Sequence, residues 1–249
     1  MQRRVSTIAR QFGDIGRDFY ARGWVLGTSG NFSAVISWEP LTLAITASAV
    51  SKGAIAPNDV VLIGPSATVV GARGSGEPRG RGGKGSGRPS AEALLHVTVA
   101  RIRHAGAVLH THSIWGTILS DIHAGEGGLT IAGYEMLKGL QGVTTHEHAE
   151  WLPILENDQN MERLARHVEG TLERFPAVHA FLLRQHGLYT WGDDLAQARR
   201  HVEILEFLFE ASGRLRTIAE THAGGSHGTD KNPRTTANVG GREIHHELS

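Results

Sequence analysis

Two histidines one residue apart, His110 and His112, close the apolar run Ala107-Val108-Leu109 and precede Ser113. An apolar run that follows Gly106 reads as a buried strand, where side chains two apart share a face. The two imidazoles can therefore converge on one metal ion, or simply hydrogen-bond at a strand end. On a helix the same spacing would splay them by roughly 200°. His186 ends a second apolar run, Ala177 to Arg184, in the same manner. If both run ends lie on one edge of a sheet, three imidazoles meet, and three protein ligands with an open position is the pattern of a catalytic zinc centre. Otherwise His186 is a turn residue before Gly187. His146 and His148 share the one-apart spacing, but no apolar run delivers them to a sheet edge, and they read as loop residues.

Two carboxylates stand near these histidines in sequence. Glu92, in Pro89-Ser90-Ala91-Glu92, falls in the first turn of an expected helix, where it serves either chemistry or the positive end of the helix dipole. Glu135, in Gly133-Tyr134-Glu135-Met136-Leu137-Lys138, has apolar neighbours that would raise its carboxyl into a useful acid/base range; its other reading is a salt bridge to Lys138. The turn Gly27-Thr28-Ser29-Gly30-Asn31 offers backbone N–H groups and small polar side chains to an anion, and Ser48, Ser51, Lys52 and Ser90 are further donors. The turn lacks the Gly-Lys-Ser/Thr of a Walker loop and the dinucleotide glycine pattern.

Several elements must position these groups. Val5, Ile8, Phe12, Ile15 and Phe19 follow helical spacing, so the amino end reads as an amphipathic helix rather than a transit peptide. Strands are expected at Asn31–Ile36, Leu41–Thr46 and Val60–Ile63, in an antiparallel meander. A helix from Ser90 to His104 leads into the histidine strand. Met161, Leu164, Val168 and Leu172 mark another helix, and Leu195, Ala198, Val202, Leu205 and Phe209 a last one. The order suggests a mostly antiparallel or mixed sheet flanked by helices. Residues 71–88 are glycine- and arginine-rich and read as a flexible loop, and 223–249 as a disordered tail, leaving one domain over 1–222. The loop carries no aromatic residue to stack a base, so single-stranded nucleic acid is a minor reading.

The 249-residue chain has 25 Lys+Arg against 25 Asp+Glu and a formal net charge of zero, so no global field favours nucleic acid or an anionic membrane. Cysteine is absent, which excludes disulfides and thiolate chemistry and leaves histidine and carboxylate as metal ligands. No apolar stretch approaches the roughly 20 residues of a membrane span, and the expectation is a soluble, cytoplasmic protein.

Taken together, five segments resemble the class II aldolase family: Gly27–Ser33, Pro89–Glu92, Ala107–Ser113, Tyr134–Gly139 and His186–Gly192. The Glu135 segment, the ending Tyr189-Thr190-Trp191-Gly192 and Leu152–Asn157 resemble its dehydratase branch. The resemblance implies a three-layer α/β/α fold with a central, mostly antiparallel sheet, and a homotetramer with sites near subunit boundaries. It also implies one Zn2+ per subunit on His110, His112 and His186. The substrate would be a ketose phosphate, its phosphate held by Ser29, Gly30, Asn31, Ser48, Lys52 and Ser90. Glu135 and Glu92 are the candidates for proton transfer, with Glu135 favoured because some relatives carry cysteine at the Glu92 position. The implied reaction is dehydration of a methylthio-substituted pentulose phosphate in methionine salvage. A sugar-phosphate aldolase or epimerase is the nearest alternative, and a noncatalytic module like the adducin head a second. Ala49 and Ala91 replace glycine and serine of aldolase relatives, so phosphate contacts there would come from backbone.

Overall fold

The computed structural model describes residues 1–70 and 87–225. The expected loop over 71–88 lies outside the described residues except for Gly87 and Arg88, and of the expected tail only the stretch to Gly225 lies within them. The chain divides into two units, Met1–Arg214, which carries the sheet, and a second from Leu215 onward.

Eight strands form one mixed sheet in the order β3-β2-β1-β4-β8-β7-β6-β5. They are β1 (Asn31–Trp38), β2 (Leu41–Thr46), β3 (Val60–Ile63), β4 (Ala107–Thr111), β5 (Gly128–Ala132), β6 (Ala149–Leu155), β7 (Ala180–Leu183) and β8 (Gly187–Gly192). Every pairing is antiparallel except β6 with β7. The α-helices are α1 (Gln2–Ala21), α2 (Ala93–Arg103), α3 (Ile114–Ile122), α4 (Met161–Arg174) and α5 (Leu195–Gly225), with short 3-10 helices at Lys52–Ala54, Pro57–Asp59, Ala124–Glu126 and Glu135–Gly139. The α/β/α expectation is met, while α3, β5, β6 and β8 are additions to it. Of the expected tail, residues 223–225 belong to α5, which runs to Gly225.

Alternation along β4 assigns the faces. Val108 joins α2 and α4 residues such as Leu95, Val99, Leu164 and Val168 in one core. Its neighbours Ala107 and Leu109 join Ile8, Phe12 and Phe19 of α1 and Val202 of α5 in another. A third core under β5–β8 gathers Leu119 of α3 with Leu205, Leu208 and Phe209 of α5. Each large side chain buried this way contributes roughly 1.5–3 kcal/mol, so the sheet centre is the most firmly held part of the molecule. Among the described residues no helix is long and apolar enough to cross a membrane.

Candidate active site

The functional side chains gather where β1 begins, β4 ends and β7 turns into β8. Asn31 lies opposite His110 in the β1–β4 register, and Tyr189 lies opposite His110 in the β4–β8 register. His110 follows Val108 onto the α2 face of the sheet, as period-two alternation requires. Two close approaches make this edge possible. A Cβ at Gly187 would sit 1.9 Å from the Thr111 carbonyl oxygen, and one at Gly30, whose φ is +70°, would sit 2.7 Å from that of His110. Only glycine fits either position.

The three imidazoles expected to converge do so. His112 Nε2 lies 2.8 Å from His110 Nε2 and 3.1 Å from His186 Nε2, and the His110–His186 separation is 3.3 Å. His110 Nδ1–H donates to the Leu188 carbonyl (2.9 Å), and His186 Nδ1 faces Asn157 Oδ1 (3.2 Å), so the Nε2 lone pairs of both point inward. Burial, with mutual repulsion from the other two rings, drives the His110 pKa well below its usual value. Burial, then His186 and Lys52, lowers that of His112 to about 4, and burial also lowers that of His186. Three imidazoles of lowered pKa whose Nε2 atoms converge on one point can hold a divalent cation. Tyr189 stacks on the His110 ring at 3.9 Å between centroids and fixes its plane.

Glu92 closes a fourth side of this cluster. It is the residue before α2 rather than part of its first turn, and it makes no cap hydrogen bond. Its carboxylate lies 3.2 Å from His186 Nε2 and 3.6 Å from His110 Nε2, and it accepts from Asn31 Nδ2 at 2.7 Å. Beside it a cleft of about 260 Å³ is lined by Ser29, Gly30, Asn31, Ser48, Lys52 and Ser90, together with Glu92 and His112. All six residues expected to hold an anion thus share one wall. Lys52 is buried, donates to the carbonyls of Val50 (2.7 Å) and Thr28 (3.0 Å), and is pushed by burial down to about 8, still cationic at neutral pH. Ala49 stands at φ 61°, a left-handed conformation that glycine takes without strain.

Glu135 departs from its expected setting. Its side chain is 70% exposed and ion-paired with Lys138. The hydrogen bond from Lys138 lowers its pKa instead of raising it. Its apolar neighbours in sequence are separated from it in space, since Leu137 turns into the core while Glu135 faces out of the 3-10 turn. Within one chain, Glu92 and not Glu135 is the carboxylate against the histidines.

Two buried residues were not anticipated. His96 of α2 bridges Ser33 and Asn31, and Glu206 of α5 accepts from Thr111 Oγ1 (2.7 Å) between the two β4 histidines. Burial pushes the Glu206 carboxyl up to about 7. A spacing signal for His96 existed, because it lies four residues after Glu92 and so on the same helix face. Its surroundings, Leu94-Leu95-His96-Val97, resemble ordinary core.

The profile of the class II aldolase and adducin N-terminal domain family matches residues 10–212. A methylthioribulose-1-phosphate dehydratase of Sorangium cellulosum (strain So ce56) is 39% identical over 208 residues, covering 83% of this chain and 92% of its own. One from Pseudomonas syringae pv. tomato (strain ATCC BAA-871 / DC3000) is 41% identical over 212 residues, covering 85% and 96%. Among solved structures, the L-fuculose-1-phosphate aldolase of Thermus thermophilus superposes with a TM-score of 0.62 at 24% identity, covering 88% of this chain and 99% of that one. This last likeness is one of fold.

Proposed function

We propose that this chain, which belongs to the class II aldolase and adducin N-terminal domain family, is a hydro-lyase that dehydrates 5-methylthioribulose 1-phosphate in methionine salvage. The product is 2,3-diketo-5-methylthiopentyl 1-phosphate. The observation that carries the reading is one cleft shared by three kinds of group: converging neutral imidazoles, a carboxylate against them, and an anion wall around Lys52. The relatives' names supply the substrate.

His110, His112 and His186 would hold a divalent ion, which we assign as zinc, and it would supply Lewis-acid polarisation of the ketose carbonyl. Ser29, Ser48, Ser90 and the backbone at Gly30 hold the phosphate, with the Lys52 cation behind them. Anchored there, C3 of the ketose meets Glu92, whose carboxylate takes the C3 proton. The C4 hydroxyl then leaves as water once it gains a proton, and the resulting enol ketonises to the diketone.

Glu135 would supply that second proton from a neighbouring copy in a homotetramer, where burial against the partner's surface and loss of the Lys138 pair return its carboxyl to the protonated form. Its exposure supports this, as do Met136 beside it (39% exposed) and the α3 stripe of Ile114, Ile118 and Ile122, an unpartnered apolar face in the single chain. We place the enzyme in the cytoplasm.

Mass spectrometry of the metal-loaded protein incubated with methylthioribulose 1-phosphate should reveal a product lighter by one water. Cleavage fragments would mean an aldolase, and unchanged substrate would overturn the reading. The shared site has its own test. Glu135→Gln and His110→Ala should each be inactive alone, yet mixed subunits should recover about a quarter of wild-type turnover, the share of sites pairing two intact halves. No recovery after verified subunit exchange would return Glu135 to a surface role.

A further inference from the structure

We propose that His96 is a positioning residue that sets the orientation of the Asn31 side-chain amide and, through it, of Glu92. The proposal deepens the reading of the cleft as a dehydratase site and rests on it for its kinetic arm. His96 is fully buried in α2, and its ring spans two successive same-face residues of β1. Nδ1 lies 2.8 Å from Ser33 Oγ, and Nε2 makes a short contact with Asn31 Oδ1.

The Glu92 carboxylate only accepts, which turns the Asn31 amide nitrogen toward it and the amide oxygen toward His96 Nε2. An amide oxygen only accepts, so the proton is on His96 Nε2. Nδ1 is then an acceptor, and the Ser33 hydroxyl donates to it. Burial lowers the His96 pKa to about 3, consistent with one ring proton at working pH. With Oδ1 captured, the Asn31 Nδ2 hydrogens have a single direction left, and both find partners there: Glu92 Oε2 at 2.7 Å and Ser90 Oγ at 3.0 Å. A flipped amide would set its oxygen against the Glu92 carboxylate and its nitrogen against the His96 N–H, two repulsive contacts in a dry site. The relay Ser33–His96–Asn31–Glu92 therefore transmits the position of the sheet to the carboxylate. It also turns a weak local preference of Asn31 into a fixed one.

Paired isosteres test this. His96→Gln can place an N–H where Nε2 stood, whereas His96→Asn keeps an atom only near Nδ1. His96→Asn should lose at least about ten-fold in kcat with little change in KM or metal content, and His96→Gln should recover most of that loss. In an Asn31→Ala background, His96→Asn should add less than about two-fold, because the residue through which it acts is gone. Equal losses in the two isosteres, or full additivity with Asn31→Ala, would overturn the proposal. A second readout does not involve turnover. Two-bond proton–nitrogen correlation spectra of the histidine-labelled holoprotein should record the Nε2–H tautomer of His96, and an Nδ1–H tautomer would overturn the relay. If wild-type protein fails to dehydrate the substrate, the functional reading falls while the tautomer still decides the relay.

Discussion

Among the described residues, two groups of histidines, each partly buried, lie toward opposite ends of β7, and they have been assembled for opposite purposes. At the end of β7, His186 joins His110 and His112, and nitrogen faces nitrogen at 2.8–3.3 Å. At its start, His179 and His148 flank the carboxylate of Glu150, at 3.0 Å and 2.7 Å from Oε2. His179 also donates its backbone N–H to Glu150 Oε1, and its Nε2 faces the Gln141 carbonyl at 2.8 Å. Both His179 nitrogens thus meet oxygen acceptors and must both carry protons. Burial alone would lower the His179 pKa, but the Glu150 carboxylate outweighs it and the net shift is upward. Burial likewise opposes the charge on Glu150, and hydrogen bonds from His179 and His148 hold its pKa below the usual value. The contrast is instructive. A ring whose neighbours are rings gives up its proton readily and is left ready for a metal; in His179, beside a carboxylate, proton binding is favoured instead.

Removing one member from each group separates them most sharply. His110→Ala should abolish bound metal and lower turnover by about three orders of magnitude, while His179→Ala should leave the metal content intact; elemental analysis of both proteins decides. Loss of metal from His179→Ala would erase the distinction. Next in size, Glu150→Gln leaves the half-buried His179 ring without its anion and should cost about 1–3 kcal/mol in urea unfolding, with metal content unchanged.

The pH dependence should have opposite signs. His179 is raised in the folded state, so its contribution is full below about 6.5 and fades as pH rises through its folded pKa. His110 and His112 are lowered, so the metal-free protein should lose stability as pH falls below about 6.5, toward the value near 4 of His112. Unfolding midpoints of His179→Ala and His112→Ala across pH 4–9 would reveal the two slopes, and slopes of one sign would refute the contrast. The smallest effect belongs to Lys138→Ala. Its pair with Glu135 is solvent-exposed, so the unfolding transition should stay where it is.

How much of this was legible in the chain depended on whether a residue's neighbours in sequence are its neighbours in space. The β4 histidines follow an apolar run that fixes strand and face together, and the glycine-rich turn before β1 carries its own geometry. β6 was hidden because Pro153 interrupts its alternation, and β8 because it follows His186 after a tight turn and looks like the end of the preceding run. α3 was hidden because Ile114, Ile118 and Ile122 form an exposed apolar stripe, which blurs the usual polar face. Glu135 misled for the converse reason, since adjacent apolar residues on a 3-10 turn point in different directions. Glu150 carried no signal at all. A carboxylate in a strand normally faces water, and only the return of β7 alongside β6 supplies the imidazole that keeps it inside.

The placement of His110 on a central strand has a consequence in time. Its backbone is paired on both sides, with β1 and β8, and its neighbours Val108 and Leu109 belong to separate cores on the two faces. No local opening frees it. Amide hydrogens along β4 should exchange with solvent only when the whole unit unfolds, over hours or days, whereas those of the exposed turn at Glu135 exchange far sooner. A metal gripped by such a strand should leave on the slow clock of the entire fold, while the Glu135 side chain moves on the fast clock of the surface.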